Sequence, residues 1–527
     1  MKKLQYLTVL TVAAVFATSC ADSYLDQLPG GSSITESQYK QMDDLIEGSA
    51  KGVYVRLYPF SDHDEFGQRS IDMYGDMLCG DMAMSTRNYG WFDTDEQGQT
   101  YTRRSYFWAY YYQIIRHCNR TINMLDEVGR PVLTTKPDTL SEEQYNYGVY
   151  YAQALTMRGW AYAGLSRYFM QVGETTTELA FPIYTEEDTK TDSIIGRERA
   201  TAADVYLRIE EDLTMALQYF NVYKDWERTN KIEMNADIAR IHLAYSYLNK
   251  GDYSNAYKYA TEAIANTSHT LLPKDQVLTT GFNDVSNNNW IWGKDVTVQN
   301  TTSLGSFFGQ CDIYSYSYAA AGDIKGIDMN LYDSIPAWDI RKGWWNNYYE
   351  ELKAAGSSSA DRFRFAPDGK FYSATSKTIM GDRDWLSDDV YMRLELAYLI
   401  AAEAAARNND LVNAQTYLFA ITDLRAKDEE AAAYAQWQTN ATADQASLLA
   451  AIKYNWRVEL WGEGYGLQTF RRYGESVKLG ENHRRSKKEI DPSTERIFSF
   501  ELPTGETYYN PYIREENAAS AGALKKR

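Results

Sequence analysis

Apolar residues in the run Tyr391–Arg407 fall at 391, 394, 398, 401 and 405, the three-and-four spacing of one helix face. Asn408-Asn409-Asp410 interrupts the run, since short polar side chains bond their own backbone and favour a turn. A second periodic run follows, with Leu411, Ala414, Leu418 and Ile421 on one face. The pattern over Asp388–Arg425 predicts an antiparallel helical hairpin. Its alanines at 401, 402, 404, 405 and 414 would let the two helices approach closely.

The same pattern occurs earlier, in Asn235–Ile264. There Ala244, Tyr253, Ala256, Ala260 and Ala263 stand where Ala402, Leu411, Ala414, Leu418 and Ile421 stand in the later hairpin. The offsets agree position by position and match the small-residue and aromatic offsets of the tetratricopeptide repeat, whose period is about 34 residues. The expected fold is mostly α: a tetratricopeptide-type helical-repeat superhelix carrying a loop-rich insertion with short β-strands.

Further helices are expected over residues 37–58, 105–128, 142–170, 201–219 and 443–473, with residues 60–104 rich in loops. Residues 274–385 lose helical periodicity. They read as an irregular insertion with alternating, strand-like stretches at Trp290–Val298 and Asp312–Tyr318. At the start, Met1-Lys2-Lys3 precedes an apolar run, Leu4–Ala17, too short for a bilayer span and flanked as a secretory signal is. Cys20 follows Ala17-Thr18-Ser19 where a lipoprotein signal peptidase would cut, and becomes an acylated N-terminus that tethers the chain to a membrane. The expected organisation is a signal peptide over 1–19, a lipid-anchored tether over 20–37, and an N-terminal helical region over 38–273. The insertion over 274–385 and a C-terminal region over 386–527 complete it.

A net charge of −18 argues against nucleic acid and anionic headgroups as partners. The short basic cluster Arg484-Arg485-Ser-Lys487-Lys488 reads as a solvated loop. Besides Cys20 there are Cys79, Cys118 and Cys311, an odd number that implies no complete disulfide framework. The 44 tyrosines and 13 tryptophans change the picture more. Such rings offer a flat apolar face with a polar edge, which suits stacking on the C–H faces of sugars, although a helical-repeat core also consumes tyrosine.

No catalytic constellation stands out. The five histidines are scattered without a His-Glu-x-x-His helix, and there is no Cys-x-x-Cys, Walker loop or Gly-x-Ser-x-Gly. A glycosidase needs two carboxylates roughly 5 to 9.5 Å apart, but among 72 acidic residues such a pair arises by chance. Gly462-x-Gly464-x-Gly466 lies in an acidic helical context and reads as a helix-end feature. Neither enzyme activity nor a metal or cofactor is expected.

Residues along almost the whole chain resemble the SusD/RagB family of outer-membrane nutrient-binding lipoproteins of Bacteroidetes. The signal is followed by Tyr24-Leu25-Asp26 and Leu28-Pro29. Arg158-Gly159-Trp160-Ala161-Tyr162 with Leu165, Arg167, Tyr168 and Phe169 resembles the family's second-repeat helix. Asp339-Ile340-Arg341, Arg393 with Leu399 and Ala402-Glu403-Ala404, Arg457-Val-Glu459-Leu460-Trp-Gly462-Glu463-Gly464 with Arg471, and Leu502-Pro503, Glu506 and Asn510-Pro511 match later motifs in order. Trp456 departs from the pattern where the family often has a second arginine, and Gly466 and Thr469 replace its usual arginine and aspartate.

The resemblance implies four tetratricopeptide-like helix pairs carrying a loop-rich binding half. It also implies a SusC-like TonB-dependent outer-membrane transporter as partner, closed over by the lipoprotein like a lid and contacted by the helical half. In this picture the chain sits on the outer membrane, facing the cell exterior, and its ligand is a glycan. Family binding aromatics come from the loop before the second long helix and from the insertion, which points to Trp91 with Tyr89 and Asn88. In the insertion, Trp290 alternates with polar or small residues and joins the candidates, with Trp292 assigned to the core. Tyr314 and Tyr316 alternate with serine, as does Tyr318, and could present rings on one face. Trp344-Trp345 and Tyr348-Tyr349 are amphipathic loop material, while Asp81 and Arg341 could serve hydroxyls, Arg341 more as a structural motif residue. A peptide-binding member of the family and a protein-interaction scaffold without a small-molecule site are the alternative readings.

Overall fold

Both hairpins form. In the computed structural model, which describes residues 44–93, 100–133, 137–189, 196–224, 226–485 and 488–515, helix Ala236–Lys250 turns into Tyr253–Asn266, and Leu394–Arg407 into Leu411–Thr422. The two turns use the same chemistry. Gly251 (φ 89°) and Asn409 (φ 61°) sit in the left-handed region, and the next residue, Asp252 or Asp410, caps the second helix by accepting its third backbone N–H. The matched small residues are all buried: Ala244, Ala256, Ala260 and Ala263 in one hairpin, Ala402 and Ala414 in the other. Helix Tyr253–Asn266 packs directly on Leu394–Arg407, so repeats more than a hundred residues apart in sequence are neighbours in space and the insertion loops out between them.

The chain divides into residues 1–49 and 50–527. Of the first unit only residues 44–49 are described, the start of helix Asp44–Gly52. The signal peptide, Cys20, the tether and the beginning of the helix expected from 37 lie outside the described residues. In the second unit the principal helices are α1 (Gln68–Leu78), α2 (Tyr101–Glu127), α3 (Glu142–Phe169), α4 (Ala202–Val222), α5 (Ala236–Lys250), α6 (Tyr253–Asn266), α7 (Leu394–Arg407) and α8 (Leu411–Thr422). They continue with α9 (Ala431–Ala441), α10 (Gln445–Glu459) and α11 (Gly466–Tyr473). From α2 to α8 each helix packs on the next, as a helical-repeat array requires. No described helix is long and apolar enough to cross a membrane.

Five expectations are corrected. Residues 389–393 form a strand that pairs antiparallel with Trp290–Lys294, so α7 begins at Leu394; ladder hydrogen bonds override the helical periodicity there. The strand expected over Trp290–Val298 ends at Lys294, and Asp312–Tyr318 forms only an isolated bridge, Ser315 with Asp382. Helix α1 lies in a region read as loop. Its pattern is amphipathic, with Gln68, Arg69, Asp72 and Asp76 on one side and Ile71, Tyr74 and Leu78 on the other, but the run is short, stands among loop-like residues and is buried on both sides. The helix expected over 443–473 is broken at Gly462 (φ 75°) and Gly464 (φ 83°).

That break has a steric reason. A Cβ on Gly464 would lie 2.2 Å from Asp72 Oδ1, and one on Gly466 would lie 2.7 Å from Asp76 Oδ1, both on α1. Glycine lets the segment approach α1 closely, and Gly464 and Gly466 donate backbone N–H groups to Asp76. The family's arginine would not fit at 466. Gly464→Ala combines the clash with left-handed strain and should destabilise by more than about 1 kcal/mol, read from the urea midpoint.

The motifs that carry the family resemblance converge on one buried ionic network. Glu459 accepts hydrogen bonds from Arg425 (2.9 and 3.0 Å), Arg393 (3.1 Å) and Arg341 (3.0 Å). Glu463 accepts from Arg393 (2.9 Å) and Lys370 (2.9 Å), Glu395 pairs with Arg393 and Arg425, and Asp339 with Arg341. The four cations are matched by four carboxylates, and all eight side chains are at most 2% exposed. Burial alone would raise the Glu459 pKa; Arg425, Arg393 and Arg341 overcome it and hold the carboxyl well below the usual range. Arg341 is therefore structural. Asp81 is too, since it is buried and accepts from Arg457 Nε at 2.7 Å. Trp456, another departure, lies buried under the Arg472 guanidinium, 4.9 Å from its ring centre. Cys79, Cys118 and Cys311 are buried free thiols.

Candidate functional site

Residues 85–93 leave the short strand Met82–Met84 and cross to the insertion, where a helical turn, Tyr318–Ala321, receives them. The Asp323 carboxylate accepts the backbone N–H groups of Asn88, Tyr89 (3.0 Å) and Gly90 (2.7 Å). Asn88 Nδ2 donates to the Ala321 carbonyl at 2.7 Å and Thr86 Oγ1 to that of Gly322 at 2.5 Å. Phe92, in the left-handed region at φ 67°, is buried and pins the far end. A polar, glycine-containing loop is thus held rigid from below by one carboxylate, which frees its side chains for the surface. Asp323→Ala should speed hydrogen exchange of the Asn88, Tyr89 and Gly90 amides, because each loses its acceptor.

Above this base stands a cluster of rings. Tyr318 lies 5.2 Å from Tyr89 and 5.8 Å from Trp91, edge to face. His63 lies 5.1 Å from Trp91 and 5.0 Å from Tyr318, and Phe60 is 5.7 Å from His63. Tyr89 is 61% and Phe60 48% exposed, whereas Trp91 is half-buried with one side packed on the core. Burial raises the Tyr318 pKa, partly offset by a hydrogen bond from Trp91, so the phenol is neutral at ordinary pH. The cluster offers apolar faces with phenol, indole and imidazole edges at one place on the surface. Two arginines at its margin, Arg87 and Arg484, are both held by Asp93, at 3.3 and 2.9 Å.

The sequence candidates separate accordingly. Tyr89, Trp91 and Asn88 come together. Tyr316, 39% exposed, stands apart, with the Arg383 guanidinium 4.0 Å from its ring centre and its carbonyl accepting from Trp385 Nε1 at 3.1 Å. Tyr314 is 9% exposed and packs with Ile313, Ile324 and Phe363, so it has little ring face to offer. Trp290 is wholly buried in the core beside Phe282 and Trp344, and the structure removes it from the candidates: its strand is buried on both faces, so alternation marks no outer side. Trp292 is core, as expected. Trp344 and Trp345 are core as well, not amphipathic loop, with Trp344 Nε1 donating to the Val277 carbonyl at 2.7 Å. In the basic cluster read as a solvated loop, Arg485 is buried and Arg484, though exposed, pairs with Asp93, while Lys487 lies outside the described residues. Phe60 and His63 were missed because one phenylalanine and one histidine in an acidic loop carry no spacing signal. Tyr318 was legible only as the last tyrosine of an alternating triplet. Among the described residues no group of three or more His, Cys, Asp or Glu is placed to hold a metal ion.

Comparison with known proteins agrees with this architecture. A family described as "Starch-binding associating with outer membrane" matches residues 23–243, and the SusD family matches residues 336–522. A SusD-like carbohydrate binding protein from Bacteroides vulgatus is similar in structure at a TM-score of 0.72 and 21% identity, over 90% of this chain and 98% of that one. A SusD superfamily protein from Bacteroides thetaiotaomicron gives 0.68 and 21%, over 89% and 98%. Surface glycan-binding protein A from Bacteroides thetaiotaomicron, in complex with laminarihexaose, gives 0.62 and 17%, over 89% and 98%. No curated protein sequence matches the chain. With two family matches that together span most of its length, helical-repeat pairs and an interposed loop-rich half, the chain belongs to the SusD/RagB family.

Proposed function

We propose that the protein is a surface-exposed outer-membrane lipoprotein, anchored through Cys20, that binds an oligo- or polysaccharide and hands it to a SusC-like TonB-dependent transporter. The observation that carries this reading is the ring cluster in which exposed Tyr89 and half-buried Trp91, on a loop whose backbone the Asp323 carboxylate holds, meet Tyr318 of the neighbouring helical turn. Aromatic faces that need no rearrangement suit a sugar's C–H face, and the phenol and amide edges suit its hydroxyls. The likeness to a glycan-binding protein solved with laminarihexaose supports the ligand class. The protein does not cleave its ligand in this reading; it holds and delivers it.

Affinity electrophoresis against a panel of polysaccharides tests the binding. Retardation by one glycan is expected. Retardation by none, with peptides bound instead, would move the reading to peptide cargo; neither would favour a protein-interaction scaffold. Recovery of a TonB-dependent barrel with the tagged protein from detergent-solubilised outer membranes tests the partner.

A further inference from the structure

Helices α3 and α5, the strand residue Tyr391 and the segment from Glu463 to Gln468 enclose an internal cavity of about 40 Å³. Besides Tyr245 Oη, which faces Asn249 and Arg472, four polar atoms on residues of its wall have no hydrogen-bond partner within the protein: His242 Nε2, Ser246 Oγ, Tyr391 Oη and Gln468 Oε1. Each of these residues is more than nine-tenths buried. Buried polar groups are almost always satisfied, so four orphans around one cavity point to a ligand that satisfies them together.

The chemistry of the wall selects that ligand. The hydroxyls of Ser246 and Tyr391 can each donate or accept, whereas Gln468 Oε1 only accepts. Burial, reinforced by nearby Arg167, pushes the His242 pKa down to about 3, so its ring is neutral and Nε2 gives or takes one hydrogen bond according to tautomer. An anion would meet the lining carboxylates of Asp72 and Glu463 as well as the Gln468 oxygen. A metal cation would meet Arg167 in the same wall. A sugar ring is too large for the space. Water both donates and accepts, and by the usual need of about 10–15 Å³ per molecule the cavity has room for about three.

We propose that this cavity holds a cluster of about three water molecules, which bridges the helical repeat and the Glu463–Gln468 segment beside the direct contacts of Tyr245 with Tyr465 and of Arg167 with the Gly464 carbonyl. A larger crevice of about 210 Å³, at the C-terminal ends of α3 and α5, shares Ser166, Tyr206, Asn249 and Gln468 with the cavity and provides the route by which the waters exchange. The cluster also reaches the buried ionic network, because Glu463 lines the cavity and accepts from Arg393 and Lys370. One edge of that network is hydrated.

A crystal structure of the full chain, grown with bromide and recorded at the bromine edge, tests this. Water peaks without anomalous signal, within hydrogen-bond distance of at least three of the four atoms, are the expected result. Direct pairing of those atoms with protein groups, or a peak with the anomalous signal of bromide or a metal, would overturn it. The Tyr391→Phe structure should lose or displace one peak and keep the others; an unchanged solvent pattern would remove Tyr391 from the site and refute the arrangement.

Discussion

Replacing Glu459 by glutamine should destabilise the protein more than any surface substitution, by about 3–5 kcal/mol. One carboxylate receives hydrogen bonds from three arginines that are all fully buried. A neutral amide keeps the volume but cannot balance their charge, and its NH₂ would face guanidinium donors. Glu350, paired with Lys353 at 3.9 Å with both side chains about 60% exposed, is the matched control; Glu350→Gln should cost no more than about 1 kcal/mol. Urea denaturation of both variants measures the contrast, and equal midpoints would mean that the network contributes no more than a surface pair.

The same variant carries a pH signature. Because the folded pKa of Glu459 is depressed, its ion pairs contribute stability fully above the unfolded glutamate value of about 4.3, and lose it as pH falls through the folded value. The gap between wild type and Glu459→Gln should be widest at neutral pH and narrow in strong acid. A gap independent of pH would place the effect in packing instead.

Trp91→Ala should weaken glycan binding by about thirtyfold, the loss of roughly 2 kcal/mol expected for a central aromatic anchor. Trp91 touches His63 and Tyr318 within the ring cluster. Because one side of Trp91 also packs on the core, a melting curve must accompany the binding measurement. Tyr89→Ala separates the two effects: at 61% exposed it contributes little to the core, and its loss should weaken binding about fivefold with stability unchanged. Tyr316→Ala, on the separate Arg383–Trp385 group, should alter binding less than either. Binding abolished by Tyr316→Ala and untouched by Trp91→Ala would relocate the site.

The periodic helices were legible because their signal is local. Ala244, Ala256, Ala402 and Ala414 repeat at offsets dictated by helix geometry, and the turn residues Gly251–Asp252 and Asn409–Asp410 act on their own backbone. Trp91, Tyr89 and Asn88 stood out as candidates because a tryptophan in a polar loop has no core to enter by local rules, whereas the structure packs one side of Trp91 on the core. What the local pattern could not carry was decided by burial on all sides. Helix α1 hides polar residues that find partners on Gly462, Gly464 and Gly466, so a side that its pattern would turn to solvent is buried. Trp290 and Trp292 lie on a strand buried on both faces, so alternation has no solvent side to report. The ring cluster itself joins Phe60, His63, Tyr89, Trp91 and Tyr318, residues that only Asp323 and the packing of the insertion bring together. The chain's own pattern determined where the paired repeat helices lie and that Tyr89 stands in a polar loop. The tertiary structure alone decided which rings meet, because long-range hydrogen bonds and burial leave no period in the sequence.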